Sequence, residues 1–214
     1  MTASAVIFDF DGTIADTEWP VFKMVRTAIR SHGLDVTLDD WIDSIGRADN
    51  SSLEEILRNI LGREPEPRVI AKAREDHHAT RHTTPMLPGV EDVIAAVRAA
   101  GLPLAIASSS PTHWVEAHLE RLEILDHFDA IRTRDHVDRG KPAPDLFLAA
   151  SAAIDVDPAT AVAIEDSRHG CASAKAAGMT CVVVPNRITR LDVAPDADLV
   201  LDSLVDFPYG RFGL

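Results

Sequence analysis

Apolar residues form a short run, Ala5 to Phe10, near the start of the chain, and Gly12 follows it. A run of this length next to a glycine predicts a buried β-strand. From Pro20 to about Ala79 the apolar residues instead recur at helical spacing, and no strand pattern interrupts them. Gly33, Gly46 and the Glu64–Pro67 segment divide this stretch into helices. The stretch therefore predicts a separate, small helical unit.

Beyond Pro85, short apolar runs alternate with amphipathic segments of roughly ten residues. The predicted strands are Leu104–Ala107, Ala130–Thr133, Ala161–Ile164, Thr180–Val184 and Leu199–Leu201, and the predicted helices are Val90–Ala100, Thr112–Leu122, Asp145–Ile154 and Ser167–Ala177. This alternation predicts an α/β fold, a Rossmann-like three-layer core in which helices cover both faces of a parallel sheet. We expect residues 1–15 and 85–214 to form this core, and residues 16–84 to form an all-helical cap inserted after the first strand.

Composition and charge narrow the classes of protein. The 214 residues are 46% hydrophobic and 26% charged, as expected for a globular protein with a real core. The formal net charge of -13 argues against nucleic acid or an anionic membrane as the main partner. The two cysteines form no CxxC pair, no apolar run approaches the ~20 residues of a membrane span, and the N-terminus lacks a basic segment. We therefore expect a cytoplasmic protein.

Polar side chains follow three of the predicted strands. In parallel α/β sheets, ligands bind at the carboxyl ends of the strands, so residues there are candidates for a site. They are Asp9 and Asp11 after the first strand, Ser108 to Ser110 after the second, Glu165 and Asp166 after the fourth, and Lys141 in a loop between. Their convergence is stronger evidence for a site than any one motif.

Asp9 and Asp11 are separated by one residue, and the alternation of a strand predicts that both side chains leave the same face. A carboxylate can attack phosphorus to give an aspartyl phosphate, provided that a cation such as Mg²⁺ relieves the charge repulsion. Asp11 is placed to protonate the departing oxygen and later to deprotonate a water. An isolated pair of this kind is more often a turn or a helix cap, but the buried strand before it and Gly12 after it favour a site.

The other strand ends allow complementary roles. Glu165 and Asp166 can complete a divalent cation site, although Asp166 or Ser167 can instead cap the next helix, and the two functions can divide between neighbouring residues. The Ser108 hydroxyl and the Ser109 amide can bind phosphate oxygens, or the serines can simply cap a helix. Lys141, stiffened by neighbouring prolines, can neutralise a phosphate and the nucleophile, whereas a lone loop lysine is usually solvated.

Four segments of the chain, in their order along the sequence, resemble the four motifs of the haloacid dehalogenase superfamily. They are Asp9-Phe-Asp11-Gly-Thr13, Ser108, Lys141-Pro and Glu165-Asp166-Ser. The resemblance covers essentially the whole chain, and the helical insert is similar to the small cap of the β-phosphoglucomutase and sugar-phosphatase subfamily. It implies that Asp9 is the nucleophile and Asp11 the acid/base. The implied metal ligands for Mg²⁺ are Asp9, Asp11 through its carbonyl, Glu165 and Asp166, and the implied phosphate-binding residues are Gly12, Ser108, Ser109 and Lys141.

The resemblance implies a magnesium-dependent phosphatase for a small phosphate monoester, in particular a sugar phosphate. A second aspartate, Asp11, distinguishes the chain from the metal-free dehalogenases. A phosphosugar mutase is the alternative, but Val21 stands where such mutases have a histidine. Without an alignment gap, Arg47 does not fall at the position of the mutases' cap arginine. A protein that keeps the fold but has lost catalysis is disfavoured, since no motif residue is missing.

The cap is expected to select the substrate, a small phosphorylated metabolite. Trp19, Gly46 and Arg47 are the candidates to contact it, although packing within the cap explains Trp19 equally well. Such caps usually open and close on a single chain, so we expect a monomer. A P-loop or dinucleotide-binding protein is excluded, because no GxxxxGK[ST] or GxGxxG follows a strand.

Overall fold

The computed structural model describes residues 2–41, 52–81, 83–192 and 194–214. The strands are β1 (Ala5–Phe8), β2 (Leu104–Ser108), β3 (Ala130–Thr133), β4 (Ala161–Glu165), β5 (Thr180–Val183) and β6 (Leu199–Val200). The helices are α1 (Glu18–Arg30), α2 (Leu38–Trp41), α3 (Leu53–Leu61), α4 (Pro67–Arg81), α5 (Val90–Ala99), α6 (Thr112–Arg121), α7 (Asp145–Ala153), α8 (Arg168–Ala176) and α9 (Tyr209–Phe212). None of the helices in these ranges is long and apolar enough to cross a bilayer.

All strands pair in parallel, in the order β3-β2-β1-β4-β5-β6. Every residue of β1 is buried, and successive side chains enter two different apolar clusters, Val6 and Phe8 on one face and Ala5 and Ile7 on the other. Such apolar runs form a sheet that is covered on both faces by helices. The predicted α/β fold is therefore confirmed.

The position of β1 decides where a site can form. Phe8 pairs with Ile106 of β2 on one side and with Ile164 of β4 on the other. The residue that follows β1 therefore lies between the carboxyl ends of β2 and β4. These are the strands after which the sequence places its serines and its second acidic pair.

The prediction that the first strand continues to Phe10 is wrong by two residues. Asp9 still donates its backbone N–H to Ile164 at 2.9 Å, but the chain then turns, with Gly12 donating to Ala15 at 2.8 Å and Ile14 to Phe10 at 2.9 Å. Asp11 therefore lies in this turn rather than on the strand. Strand alternation does not determine where its side chain points.

Helices α1 to α4 pack around a separate apolar cluster. Phe22, Val25 and Ile29 of α1 and Leu57 of α3 are fully or almost fully buried in it. Ile188, from the loop after β5, belongs to the same cluster and is completely buried. The helices occupy the sequence range predicted for the cap, while the domain boundaries at residues 15–16 and 84–85 stay a prediction.

Candidate active site

Lys141 joins the carboxylates that follow two adjacent strands. Its Nζ lies 2.5 Å from Asp9 Oδ1 and 2.6 Å from Glu165 Oε1, and all three side chains are buried. A buried cation between two buried carboxylates offsets part of the cost of burying their charge. Burial lowers the pKa of Lys141, but the charges of Asp9 and Glu165 outweigh burial and raise it above its ordinary value. Lys141 is therefore charged and fixed in place.

The second oxygen of Glu165 is held by the chain that follows it. Oε2 accepts hydrogen bonds from the backbone N–H of Asp166 at 2.9 Å and of Ser167 at 3.1 Å, and from the Ser167 hydroxyl at 3.1 Å. Ser167 also caps α8, since its hydroxyl accepts the N–H of Gly170 at 3.0 Å. Of the two residues predicted as possible caps, Asp166 and Ser167, it is therefore Ser167 that caps this helix.

Asp166 packs against the turn after β1. Its Oδ2 accepts a hydrogen bond from Asn186 Nδ2 at 2.7 Å. A Cβ on Gly12 would lie 2.5 Å from this same oxygen, and Gly12 has φ +83°, which a glycine adopts without strain. Any side chain at position 12 would collide with Asp166, so the turn can pack against Asp166 only with Gly12.

Asp9, Glu165 and Asp166 form a compact acidic group. Each offers a carboxylate oxygen, these oxygens lie within 4.8 Å of one another, and all three residues are buried. Burial raises the pKa of Asp9 to about 7, against the lowering effect of Lys141. Burial, together with the charges of Glu18 and Glu165, raises the pKa of Asp166 well above its ordinary value. Clustered oxygen donors with excess negative charge fit a hard divalent cation.

Asp11 has a different environment from Asp9. Its Oδ1 accepts hydrogen bonds from Thr17 Oγ1 at 2.6 Å and from Trp114 Nε1 at 2.9 Å. Its Oδ2 accepts from Ser110 Oγ at 2.5 Å and, at 3.4 Å, from Ser108 Oγ. The Asp11 carboxylate is thus turned toward the end of β2 and is not part of the acidic group. This position leaves its predicted metal contact to the main-chain carbonyl.

Two predicted phosphate-binding serines lie at the end of β2. Ser108 is completely buried, and its Oγ accepts the N–H of Ser110 at 3.0 Å. Ser109 is half-buried and follows the strand directly. The structure brings Ser108, Lys141 and both aspartates of the first motif to the same edge of the sheet, as the sequence predicts.

The candidates in the cap are only partly described. Trp19 lies in the first turn of α1, where its ring contacts Phe22 at a centroid distance of 5.5 Å, and the Arg187 guanidinium lies 4.8 Å from its ring centroid. Arg187 also pairs with Asp16. Trp19 therefore packs between the cap and the loop after β5. Gly46 and Arg47 lie outside the described residues.

Several residues of the site were missed in the sequence. Among the described residues, Thr17 and Trp114 donate hydrogen bonds to Asp11, and Asn186 donates one to Asp166, without having been predicted. Asn186 follows β5, so the rule on carboxyl ends of strands could have found it. Ser110, which donates to Asp11 at 2.5 Å, was among the serines predicted for the site. Trp114 gave no signal, because an aromatic residue in the first turn of an amphipathic helix is ordinary.

Comparison with known sequences gives a match over most of the chain. Residues 6–184 match the family described as haloacid dehalogenase-like hydrolase. The Bacillus subtilis (strain 168) protein named "Putative phosphatase YhcW" is 36% identical over 203 residues, covering 94% of this chain and 92% of the relative. Hexitol phosphatase B of Escherichia coli (strain K12) is 32% identical over 213 residues, covering 94% of this chain and 93% of the relative.

Comparison with solved structures supports the family match that the sequence comparison gives. The crystal structure of CbbY from Rhodobacter sphaeroides in complex with phosphate superimposes with a TM-score of 0.77 and 28% sequence identity. The match covers 100% of this chain and 100% of that chain. The similarity therefore includes both the sheet and the inserted helices.

Proposed function

We propose that this chain, which belongs to the haloacid dehalogenase-like hydrolases, is a Mg²⁺-dependent phosphatase. It hydrolyses a small sugar or polyol phosphate through an aspartyl phosphate on Asp9. The family inferred from the four motifs is confirmed, and so is a phosphatase-type enzyme of that family. The metal, the intermediate and the substrate class are the proposal.

One observation carries this function: the buried Asp9 lies between a fixed cation and a group of acids. Lys141 contacts Asp9 at 2.5 Å, and Glu165 and Asp166 lie on the same side of the sheet. Asp9, Glu165 and Asp166, with the carbonyl of Asp11, would hold Mg²⁺, which would offset the charge of nucleophile and phosphate. A purely structural ion pair does not need this excess of buried acids around one lysine.

In the first half-reaction the Asp9 carboxylate attacks the phosphorus of the monoester. A bond forms between an Asp9 oxygen and phosphorus, and the bond from phosphorus to the ester oxygen breaks. Lys141 orients Asp9 and, together with Ser108 and the Ser109 amide, stabilises the charge on the phosphoryl oxygens. Asp11 donates its proton to the departing oxygen, which leaves as an alcohol.

In the second half-reaction a water replaces the alcohol. Asp11, now a carboxylate, accepts a proton from this water as its oxygen attacks the phosphorus. The bond between Asp9 and phosphorus breaks, which releases inorganic phosphate and restores both aspartates to their starting states. The separate environments of Asp9 and Asp11 suit these separate roles, since donors on both oxygens of Asp11 fix its position.

Substrate class rests on the relatives and on the cap. Hexitol phosphatase B is named for a polyol phosphate, and CbbY was crystallised with phosphate. Thr17, directly before the first inserted helix, donates to Asp11 at 2.6 Å, and Arg187 from the loop after β5 lies over Trp19 of that helix. We propose that the chain binds a phosphorylated metabolite of comparable size. Gly46 and Arg47 remain predicted contacts.

The alternative of a phosphosugar mutase is not favoured by the described residues. Val21, at the position of the mutases' histidine, packs against the apolar cluster of the cap. It cannot exchange a proton with Asp11. We therefore place hydrolysis ahead of transfer to a second hydroxyl.

The nucleophile can be tested by replacing Asp9→Asn in the full chain. Phosphate release from a panel of sugar, polyol and nucleotide monophosphates with Mg²⁺ is measured for both proteins. We expect the variant to remain folded and its phosphate release to fall to background, because an amide is a poor nucleophile. Turnover that survives the substitution contradicts the proposed role.

The same panel separates hydrolysis from mutase chemistry. With β-glucose 1-phosphate, a phosphatase releases inorganic phosphate and a mutase accumulates glucose 6-phosphate. We expect inorganic phosphate. Formation of glucose 6-phosphate without free phosphate favours the mutase.

A further inference from the structure

Trp114 reaches the acid/base from a helix that belongs to none of the four motifs. It lies in the first turn of α6, 103 residues after Asp11 in the sequence, and its Nε1 donates to Asp11 Oδ1 at 2.9 Å. The indole ring also contacts buried His118, with ring centroids 4.3 Å apart and the ring planes tilted by 42°. The first turn of α6 thus places the ring with its N–H directed at the Asp11 carboxylate.

The four donors around Asp11 are not equivalent. Thr17, Ser108 and Ser110 present hydroxyls, which can donate or accept a hydrogen bond. The indole N–H can only donate. While Trp114 is in place, Oδ1 must therefore accept a hydrogen bond from it. Oδ2 contacts only hydroxyls among these donors, so it can hold a proton without losing a favourable contact.

We infer that Trp114 is a positioning residue that assigns the two oxygens of Asp11 different tasks. It holds Oδ1 as an acceptor, and it thereby leaves Oδ2, beside Ser108, to exchange the proton with the ester oxygen. This inference rests on the proposed function, since it requires Asp11 to act as the acid. In the step itself the proton on Oδ2 passes to the ester oxygen as the bond to phosphorus breaks.

The direction of Oδ2 supports this assignment. Ser108 ends β2, and β2 is the neighbour of β1, from which Asp9 emerges. Oδ2 is thus the oxygen on the side of the predicted phosphate-binding serine. Oδ1 contacts Thr17, at the entrance to the cap, and the indole.

The inference can be tested with Trp114→Phe and two substrates whose leaving groups differ. An alkyl phosphate from the active panel needs a proton on its departing oxygen, whereas p-nitrophenyl phosphate releases a stable anion without one. The constant kcat/KM covers only the steps up to loss of the leaving group, so the later use of Asp11 as a base does not enter it. Because kcat/KM for both substrates scales with the same active enzyme, their ratio does not depend on how much of the variant is folded.

We expect kcat/KM to fall by about tenfold to a hundredfold on the alkyl phosphate, and by less than about threefold on p-nitrophenyl phosphate, because only the first uses the acid fully. Trp114→Leu, which also lacks the donor, is expected to change the ratio in the same direction. His118→Leu is the packing control, since it alters the stack but keeps the indole N–H, and its ratio is expected to match that of the wild type.

Equal losses on both substrates, or no loss on either, overturn the positioning role of Trp114. Failure of the proposed function gives a different result. In that case Asp9→Asn retains hydrolysis of both substrates, whatever Trp114→Phe does. The two hypotheses are therefore separated by the same set of four variants.

Discussion

Asn186 connects three segments of the site through one side chain. Its Oδ1 accepts the backbone N–H groups of Ile188 at 2.8 Å and Thr189 at 3.1 Å, which fixes the rotation of the amide. Its Nδ2 then points at Asp166 Oδ2, 2.7 Å away, and at the Gly12 carbonyl and Glu18 Oε2, both at 3.4 Å. A neutral donor at this point orients Asp166 without adding a charge to the acidic group.

We therefore expect Asn186→Ala to weaken metal binding more than substrate binding. If Asp166 binds Mg²⁺ as proposed, losing the hydrogen bond that orients its carboxylate is expected to raise the Mg²⁺ concentration needed for half-maximal activity by about tenfold or more. The measurement is a titration of the EDTA-treated enzyme with Mg²⁺, at saturating substrate. Asn59→Ala, on the exposed side of α3, is the control and is expected to leave the titration unchanged. An unaltered titration for Asn186→Ala contradicts its orienting role.

The site residues that could be predicted from the sequence differ from those that could not in how their contacts relate to the order of the chain. Asp9, Lys141, Glu165 and Asp166 were predicted because each directly follows a strand or belongs to an ordered motif. Trp114 contacts Asp11 across 103 residues, and the contact depends on the rotation of α6 about its axis. Spacing along the chain carries no information on that rotation. The Thr17 hydroxyl was missed because the apolar pattern does not reveal the turn after β1, which brings it to Asp11.

At the scale of elements, the start of α8 shapes the environment of Glu165. Gly170 lies in the first turn of this helix, and a Cβ there would come within 1.7 Å of Glu165 Oε1. The carboxylate can contact Lys141 at 2.6 Å only because this turn has no side chain at that point. The helix and the end of β4 are thus packed at the distance that a glycine allows.

Gly170→Ala is therefore expected to displace the Glu165 carboxylate and to disturb the pair with Lys141. Since a misplacement of about 1 Å in a catalytic group can cost a hundredfold in rate, we expect kcat to fall by about tenfold to a hundredfold. The assay is phosphate release with the preferred substrate and Mg²⁺. Gly210→Ala, in α9, is the matched control, because a Cβ there meets nothing within 4 Å. Equal activities of the two variants would falsify the steric argument.

Sequence patterns predicted the elements better than their ends. Every predicted strand is present, and β1, β2 and β4 are buried at every residue, as continuous apolar runs in a parallel sheet lead one to expect. The first strand nevertheless ends at Phe8, since the hydrogen bonds that Thr13 and Ile14 donate back to Phe10 form a turn there. The turn is set by local backbone bonding, which the apolar pattern Ala5 to Phe10 does not reveal.

At the scale of the whole molecule, the cap is joined to the core by more than its two connecting segments. Ile188 comes from the loop after β5, yet it is completely buried among the apolar residues of the cap helices. Arg187, next to it, pairs with Asp16 and lies over Trp19. The loop that contains Asn186 therefore ties the cap to the acidic group of the core.

From this arrangement we expect Ile188→Ala to destabilise cap and core together. Loss of a completely buried isoleucine side chain lowers the free energy of unfolding by about 2 to 5 kcal/mol. Urea unfolding is followed by circular dichroism, which reports the helices and the sheet together, and by tryptophan fluorescence, to which Trp19 and Trp114 contribute. If Ile188 couples the two parts, both signals shift to lower urea in one transition.

Leu191→Ala is the matched control, because its side chain lies three residues further along and is 53% exposed. We expect it to change the free energy of unfolding by no more than about 0.5 kcal/mol. Two separate transitions in Ile188→Ala, with the second unchanged from the wild type, would mean that the cap unfolds alone and that Ile188 stabilises the cap only. A single shifted transition instead means that cap and core unfold together and that Ile188, in the loop that carries Asn186, couples them.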